Sequence, residues 1–233
     1  MRSSTWRALG NSYVLVEPRD ARLTAVEARD LSRSTDGVVE VVSVDDDRLI
    51  VEIWNPDGSL AELSGNGTRI AAAWHAAASG ARDVEIVVGE RRTLARMRAD
   101  GVVEQELGEV VVGRPETVAG IEVVPVSVGN PHAVVLGDPD AITDVGPLLE
   151  THERFPDRTN VQVARVDGPG EVTARVWERG VGETAASGTS AVAVAAATHP
   201  DGEVVVHFPG GDLRVRLAGG RAWLTGPAEP LDR

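Results

Sequence analysis

Cysteine is absent from all 233 residues, and so is lysine, because the 23 basic residues are all arginine. The first absence excludes disulfides, zinc–thiolate centres and thiol nucleophiles. The second excludes a Schiff-base lysine, and with it ordinary pyridoxal-phosphate chemistry. It also excludes a phosphate-loop ATPase, whose motif requires lysine. Positive charge is scarce overall, with 36 acidic residues and a net charge of −13. Nucleic acid is therefore not an expected partner, since phosphate binding needs surplus positive charge. No stretch reaches the apolar length of a membrane span. The first ten residues, MRSSTWRALG, lack the apolar run of a signal peptide. The five histidines, at 75, 132, 152, 199 and 207, show no metal-ligand spacing. The expectation is a soluble, cytoplasmic chain with no membrane partner and no metal.

What is present is a repeated pattern. The length suits one large domain or two of about 115 residues each, enough to bury a core without staples. Residues 11–17, 38–44 and 48–54 are rich in β-branched side chains and bounded by turn signals, so they read as strands. Residues 21–34 read as a helix with Thr24 as a candidate cap. After the turn Asn55-Pro56-Asp57-Gly58, a helix is expected from about 66 to 79, stopped by Gly80. Strands follow near 83–88, 93–98, 102–106 and 109–112. Gly113-Arg114-Pro115-Glu116 marks the boundary, and then the order repeats. Strands are expected near 121–128 and 132–136, a helix at 139–150, and strands at 160–166 and 171–178. An alanine-rich helix at about 188–197 and strands at 203–208, 212–217 and 221–225 complete the chain. Both long helices are apolar on nearly all sides, which is the mark of a buried helix. The expected fold class is α/β (α+β), with two pseudo-symmetric halves. Each half is a curled, mostly antiparallel sheet wrapped around a central helix. The first half spans 1–114, with the last strand, about 224–233, as a candidate to return to it; the second spans 115–223.

The two central helices begin alike. One starts LSGNGTRIAAAW, with Ser64-Gly65; the other starts ASGTSAVAVA, with Ser187-Gly188. A helix N-terminus carries unpaired backbone N–H groups and partial positive charge, so it binds anions such as a carboxylate. Glycine lets that backbone approach a ligand closely. Serine is also a favoured N-cap, so either serine alone reads as structural; the pair, in equivalent places of two similar halves, points to a ligand. No G-x-S-x-G elbow surrounds either serine, and Gly65-x-Gly67 lacks the third glycine of the dinucleotide fingerprint. Three polar clusters lie nearby in sequence: Asn55–Ser59, Gly129-Asn130-Pro131-His132, and Glu178–Thr184. His132 is the only histidine inside such a motif.

These motifs, taken in order, resemble diaminopimelate epimerase. The stretches that carry the resemblance are ALGNSYVLVE (8–17), DG (36–37), NPDGSLAELSGNGTR (55–69), GNPHAVV (129–135), GPLLETHERFPDRTNV (146–161), ERGVGETAASGT (178–189), FPGGDLRV (208–215) and LTGPAE (224–229). The resemblance implies a cofactor-independent isomerase of lysine and peptidoglycan-precursor synthesis, interconverting LL- and meso-diaminopimelate. It implies an active site in a cleft between the halves, a homodimer, and a small amino-acid substrate as partner. It implies substrate contacts at Asn11, Asn55, Asn130 and Asn160, with Glu178 and Arg179 holding the distal amino-acid group. The backbone of Gly65-Asn66 and Gly188-Thr189 would hold the reacting carboxylate, and His132 and Glu178 would border the reacting carbon.

One departure from the family pattern matters. The two catalytic bases of the family are cysteines, and here those positions are Ser64 and Ser187. A thiol has a pKa of about 8.5, whereas a serine hydroxyl is closer to water, roughly 15.7. Seven units at about 1.36 kcal/mol each add on the order of 10 kcal/mol to forming the base. A helix dipole returns only ~1–2 kcal/mol. Serine therefore needs a partner base, and His132, Glu178 and Glu183 are the candidates. Other positions where the family often has cysteine carry Ile70, Ala133 and Val192, which marks a lineage without cysteine rather than two engineered replacements. The alternatives to a serine-pair epimerase are a related enzyme of the same fold (a racemase, dehydratase or phenazine-type isomerase) and a non-catalytic amino-acid-binding homologue.

Overall fold

A computed structural model describes residues 1–61 and 64–231. Glu62 and Leu63, within the NPDGSLAELSGNGTR motif, lie outside the described residues, as do the last two residues of the expected terminal strand. The chain forms two compact units: residues 1–106 with the segment from Thr225 onward, and Leu107–Leu224. Among the described residues no helix is long and apolar enough to cross a membrane.

The first unit contains β1 (Ser3–Ala8), β2 (Asn11–Val16), α1 (Ala25–Leu31), β3 (Val38–Asp45), β4 (Arg48–Trp54), α2 (Gly65–Ser79), β5 (Asp83–Val88), β6 (Arg91–Met97) and the larger part of β7 (Val102–Glu109), whose residues from Leu107 on are counted with the second unit. Pairing alternates in sense. It is antiparallel for β1–β2, β3–β4, β5–β6 and β6–β7, and parallel for β2–β3 and β4–β5. The parallel steps are the two interrupted by helices, since a parallel pair needs a crossover long enough to bring the chain back. The segment Glu229–Pro230 pairs with β1. α2 lies against all of β1–β6, which is why its first nine residues are buried. Ile70, Ala71, Ala72 and Ala73 pack with Val39, Val51, Ile53 and Ile86 in one core.

The second unit repeats this order. It contains β8 (Val111–Val112), β9 (Glu116–Val118), β10 (Ile121–Ser127), β11 (Pro131–Leu136), α3 (Ile142–Glu150), β12 (Asn160–Gly168), β13 (Glu171–Glu178), β14 (Gly182–Thr184), α4 (Gly188–Thr198), β15 (Gly202–Phe208), β16 (Gly211–Ala218) and the larger part of β17 (Arg221–Pro227), whose residues from Thr225 on are counted with the first unit. The pairs β10–β11, β12–β13 and β15–β16 are antiparallel, and β11–β12 and β13–β15 are parallel. Helices again fill the parallel crossovers. α4 lies against β10, β11, β12, β13, β15 and β16, and its first eight residues are buried.

Several boundaries differ from expectation for local reasons. The helix expected over 21–34 is only Ala25–Leu31. Thr24 and Glu27 form a reciprocal capping box that fixes its start, and Ser32 bonds back to Ala28 at its end. The helix expected over 139–150 begins as a 3-10 turn, Pro139–Ala141, capped by Asp138. Gly146 in α3 is obligatory, because a Cβ there would meet Trp177 at 2.7 Å. Strand β1 was not expected, since SSTWRA lacks the β-branched run that marks the others. Gly80 ends α2 as expected, in the left-handed conformation at φ 77°.

Candidate active site

Ser64 and Ser187 are the N-cap residues of α2 and α4, both with extended backbone. Their side chains behave differently. Ser64 Oγ accepts the Gly67 N–H at 3.1 Å, as a structural cap does. Ser187 makes no side-chain cap hydrogen bond although it is buried. A buried serine that does not cap its helix is not explained by helix formation alone.

The first mouth is tightly braced. The Gly65 carbonyl accepts from Gln105 Nε2 at 2.9 Å and from the Arg69 guanidinium at 3.1 Å. Thr68 Oγ1 carries one proton and has both Gln105 Oε1, at 2.7 Å, and Ser64 O, at 2.9 Å, within reach as acceptors. Arg69 also donates to Asn66 Oδ1 and reaches Pro227 O at 3.5 Å. All three oxygens holding Arg69 are neutral, and its side chain is completely buried. Desolvation lowers its pKa to about 10, opposed by Tyr13. It therefore remains charged at neutral pH and places a full positive charge behind the helix N-terminus, adding to the dipole there. Tyr13 is buried on β2, two residues beyond Asn11 on the same strand face. Its hydroxyl stands 3.4 Å from Ser64 Oγ, and either oxygen can donate. Asn55 Nδ2 donates to Ser59 Oγ, which in turn donates to Asp57, in the turn after β4.

At the second mouth the residues form a polar chain. Asn130 Nδ2 reaches Thr189 Oγ1 at 3.5 Å, and Asn130 Oδ1 meets His132 Nε2 at 3.0 Å. His132 Nδ1 meets Gln162 Nε2 at 3.0 Å, and Gln162 Nε2 also donates to Ser190 Oγ. A neutral ring carries one proton between its two nitrogens, so one of these contacts donates and the other accepts. Burial lowers the His132 pKa to about 3, with a bond from Gln162 opposing and nearby Arg179 reinforcing the shift. His132 is thus a neutral imidazole with both nitrogens occupied. It is a poor base, and what it does in this arrangement is orient Asn130.

The Glu178-Arg179-Gly180 turn is held by two buried side chains. Glu150, at the end of α3, accepts from Trp177 Nε1 at 2.8 Å and from Gly180 N at 2.5 Å, and pairs with Arg158 at 2.6 Å. Asn160 Oδ1 accepts from Arg179 N, and Asn160 Nδ2 donates to Pro131 O, so one amide ties this turn to the Asn130–His132 turn. Thr184 Oγ1 donates to Glu178 at 2.5 Å. Glu183 points elsewhere, into an ion pair with Arg175 at 2.6 Å. The second unit thus gathers Asn130, His132, Asn160, Arg179 and Thr189, and the first gathers Tyr13, Ser64, Gly65, Asn66 and Arg69. Among the described residues no three His, Asp or Glu side chains are grouped as a metal would need.

Sequence reasoning missed Tyr13, Arg69, Gln105, Glu150 and Gln162. Three carried a signal. Arg69 is the one arginine in a helix made mostly of alanine and glycine, with no acidic residue. Gln105 sits at a buried phase of β7, between Val103 and Leu107. Gln162 lies within the fully buried run at the start of β12.

Known proteins share this plan. The family model for diaminopimelate epimerase matches residues 6–113 and 124–229. The chain belongs to the diaminopimelate epimerase family. It is 33% identical over 268 residues to the diaminopimelate epimerase of a Synechococcus species, covering 96% of this chain and 93% of that one. It is 36% identical over 274 residues to that of Desulforudis audaxviator, covering 99% and 97%. A solved structure described as a predicted epimerase from Pseudomonas aeruginosa has the same fold, with a TM-score of 0.78 at 18% identity, covering 99% of this chain and 96% of that one. This member of the diaminopimelate epimerase family is accordingly an isomerase of the epimerase and racemase kind.

Proposed function

We propose that the chain interconverts LL- and meso-diaminopimelate by moving a proton at the α-carbon without a cofactor. The observation that carries the reading is the pair of buried, serine-fronted helix N-termini at equivalent places in the two units. In this reading the N–H groups of Gly65-Asn66 and Gly188-Thr189 hold the α-carboxylate. They stabilise the charge that develops on it as the α-proton leaves, and fixed dipoles do this without reorganising. Ser64 and Ser187 address the α-carbon from opposite faces. Glu178 and Arg179, with Asn11, Asn55, Asn130 and Asn160, hold the far amino-acid group of a long substrate. The Glu150 and Asn160 bonds keep that turn in place. His132 positions Asn130 and is not the base. Glu183, occupied by Arg175, is set aside.

Incubation with LL-diaminopimelate alone, followed by separation of stereoisomers, is expected to yield the meso form, and proline offered in the same assay is expected to stay unchanged. Inversion of proline with diaminopimelate untouched would assign the chain to a different branch of the same fold.

A further inference from the structure

Serine alone is too weak a base for an α-proton, so something must stand behind it. We propose that Tyr13 is that group for the first mouth, accepting a proton through Ser64, whose Oγ lies 3.4 Å from the tyrosine hydroxyl. The inference rests on the proton-transfer reading above and names the base that reading lacks.

Three observations support it. First, a phenol has a pKa of about 10, between one and two units above a thiol, whereas a serine hydroxyl is about seven units above one. A phenolate behind the serine recovers most of what the missing cysteine takes away. Second, the buried Arg69 guanidinium is electrostatically coupled to Tyr13. An unneutralised cation near a phenol favours its ionised form. The three oxygens holding Arg69 are neutral, so the phenolate would give it an anionic neighbour that its hydrogen bonds do not supply. Third, the other charged groups beside β2 are engaged elsewhere. Arg7 on β1 pairs with Glu229, and Asp36 bonds to Ser12 on the opposite face of the strand. Glu40 on β3 accepts from Leu23 N and Trp54 Nε1.

The step balances. The substrate Cα–H bond breaks and its proton forms a new O–H bond at Ser64 Oγ. The proton that Ser64 carried passes to the Tyr13 phenolate oxygen. The electron pair stays on the α-carbon and spreads into the carboxylate held by the helix N–H groups. Tyr13 ends as a neutral phenol and recharges by losing its proton to solvent. Ser64 is never a free alkoxide. Gly67 N–H keeps its oxygen oriented throughout. Tyr13 acts through Ser64 and does not itself touch the substrate.

The chain has a single tyrosine, so its phenolate absorbance reports Tyr13 alone. The test follows α-proton exchange of LL- and meso-diaminopimelate in heavy water across the alkaline range, beside the phenolate absorbance of the same protein. The exchange rate is expected to rise with pH and level off at the inflection of the absorbance. Tyr13→Phe is expected to lose at least about 100-fold in rate, and to lose the inflection. A purely structural tyrosine would slow exchange and leave the inflection in place, which would overturn the proposal, as would an unchanged rate. If Tyr13→Phe does not fold, the wild-type curves decide alone, because inflections that fail to coincide overturn it. No exchange by wild-type protein at any pH overturns both this proposal and the reading beneath it.

Discussion

Replacing Ser187 with cysteine is expected to raise α-proton exchange on its face of the substrate by at least on the order of 10³-fold. The hydroxyl and the thiol differ by about seven pKa units, and half of that difference reaching the barrier gives this figure. His132 does not make up the difference at the second mouth. The polar path from Thr189 through Asn130 ends at His132, which is neutral, with a pKa held near 3 by burial. Ser64→Cys is expected to gain far less, about 6-fold by the same rule, because a phenol already stands behind that serine and lies only ~1.5 units above a thiol. Under the proposed function each stereoisomer would present its α-hydrogen to one serine, so separate exchange rates for LL- and meso-diaminopimelate would read the two faces independently. Equal gains at both positions would contradict the inequality of the two mouths.

Lowering the pH is expected to remove stability through His132. Its pKa is about 3 folded, lowered by burial, against about 6.5 unfolded. Between these values the unfolded state binds the extra proton, so stability rises with pH and falls as pH drops below about 6.5. The slope is about 1.4 kcal/mol per pH unit, on the order of 5 kcal/mol across the window. His207 works in the opposite sense. Its pKa is raised, chiefly by Asp212 and also by Glu171. Its stabilisation is present below about 6.5 and lost as pH rises through the raised value. The contribution is small, because the pair is largely exposed. Carboxylates titrate in the same acid range, so the decisive quantity is the difference between wild type and His132→Gln in urea unfolding. The advantage of wild type should shrink by about 1.4 kcal/mol for each unit below pH ~6. Parallel stability curves would show that the imidazole is solvated.

The frame of the molecule was legible because its signals are local. Val38–Asp45 and Arg48–Trp54 are rich in β-branched residues, and Gly80 ends α2 where its positive φ requires glycine. The Ser-Gly helix starts were legible for the same reason, since capping acts within three residues. Strand β1 was invisible, because its place comes from pairing with β2 and with Glu229–Pro230 rather than from its composition. The environment of the site residues was also hidden. That Tyr13 meets Ser64, that Gln162 meets the His132 ring and that Glu150 pins Gly180 are contacts between residues 30 to 51 positions apart in sequence. Spacing rules do not reach across such separations. His132 shows the cost: its motif suggested a base, and only its burial and two hydrogen-bond partners identify it as a neutral positioning group.

The central claim is that a serine pair at two anion-binding helix mouths moves an amino-acid α-proton. Proton NMR of the purified protein with LL-diaminopimelate in heavy water tests it most directly. Loss of the α-proton signal together with appearance of the meso form is the expected result. A substrate whose lines broaden on binding, while its α-proton signal stays intact, would contradict the claim and leave a binding protein with the fold of an epimerase.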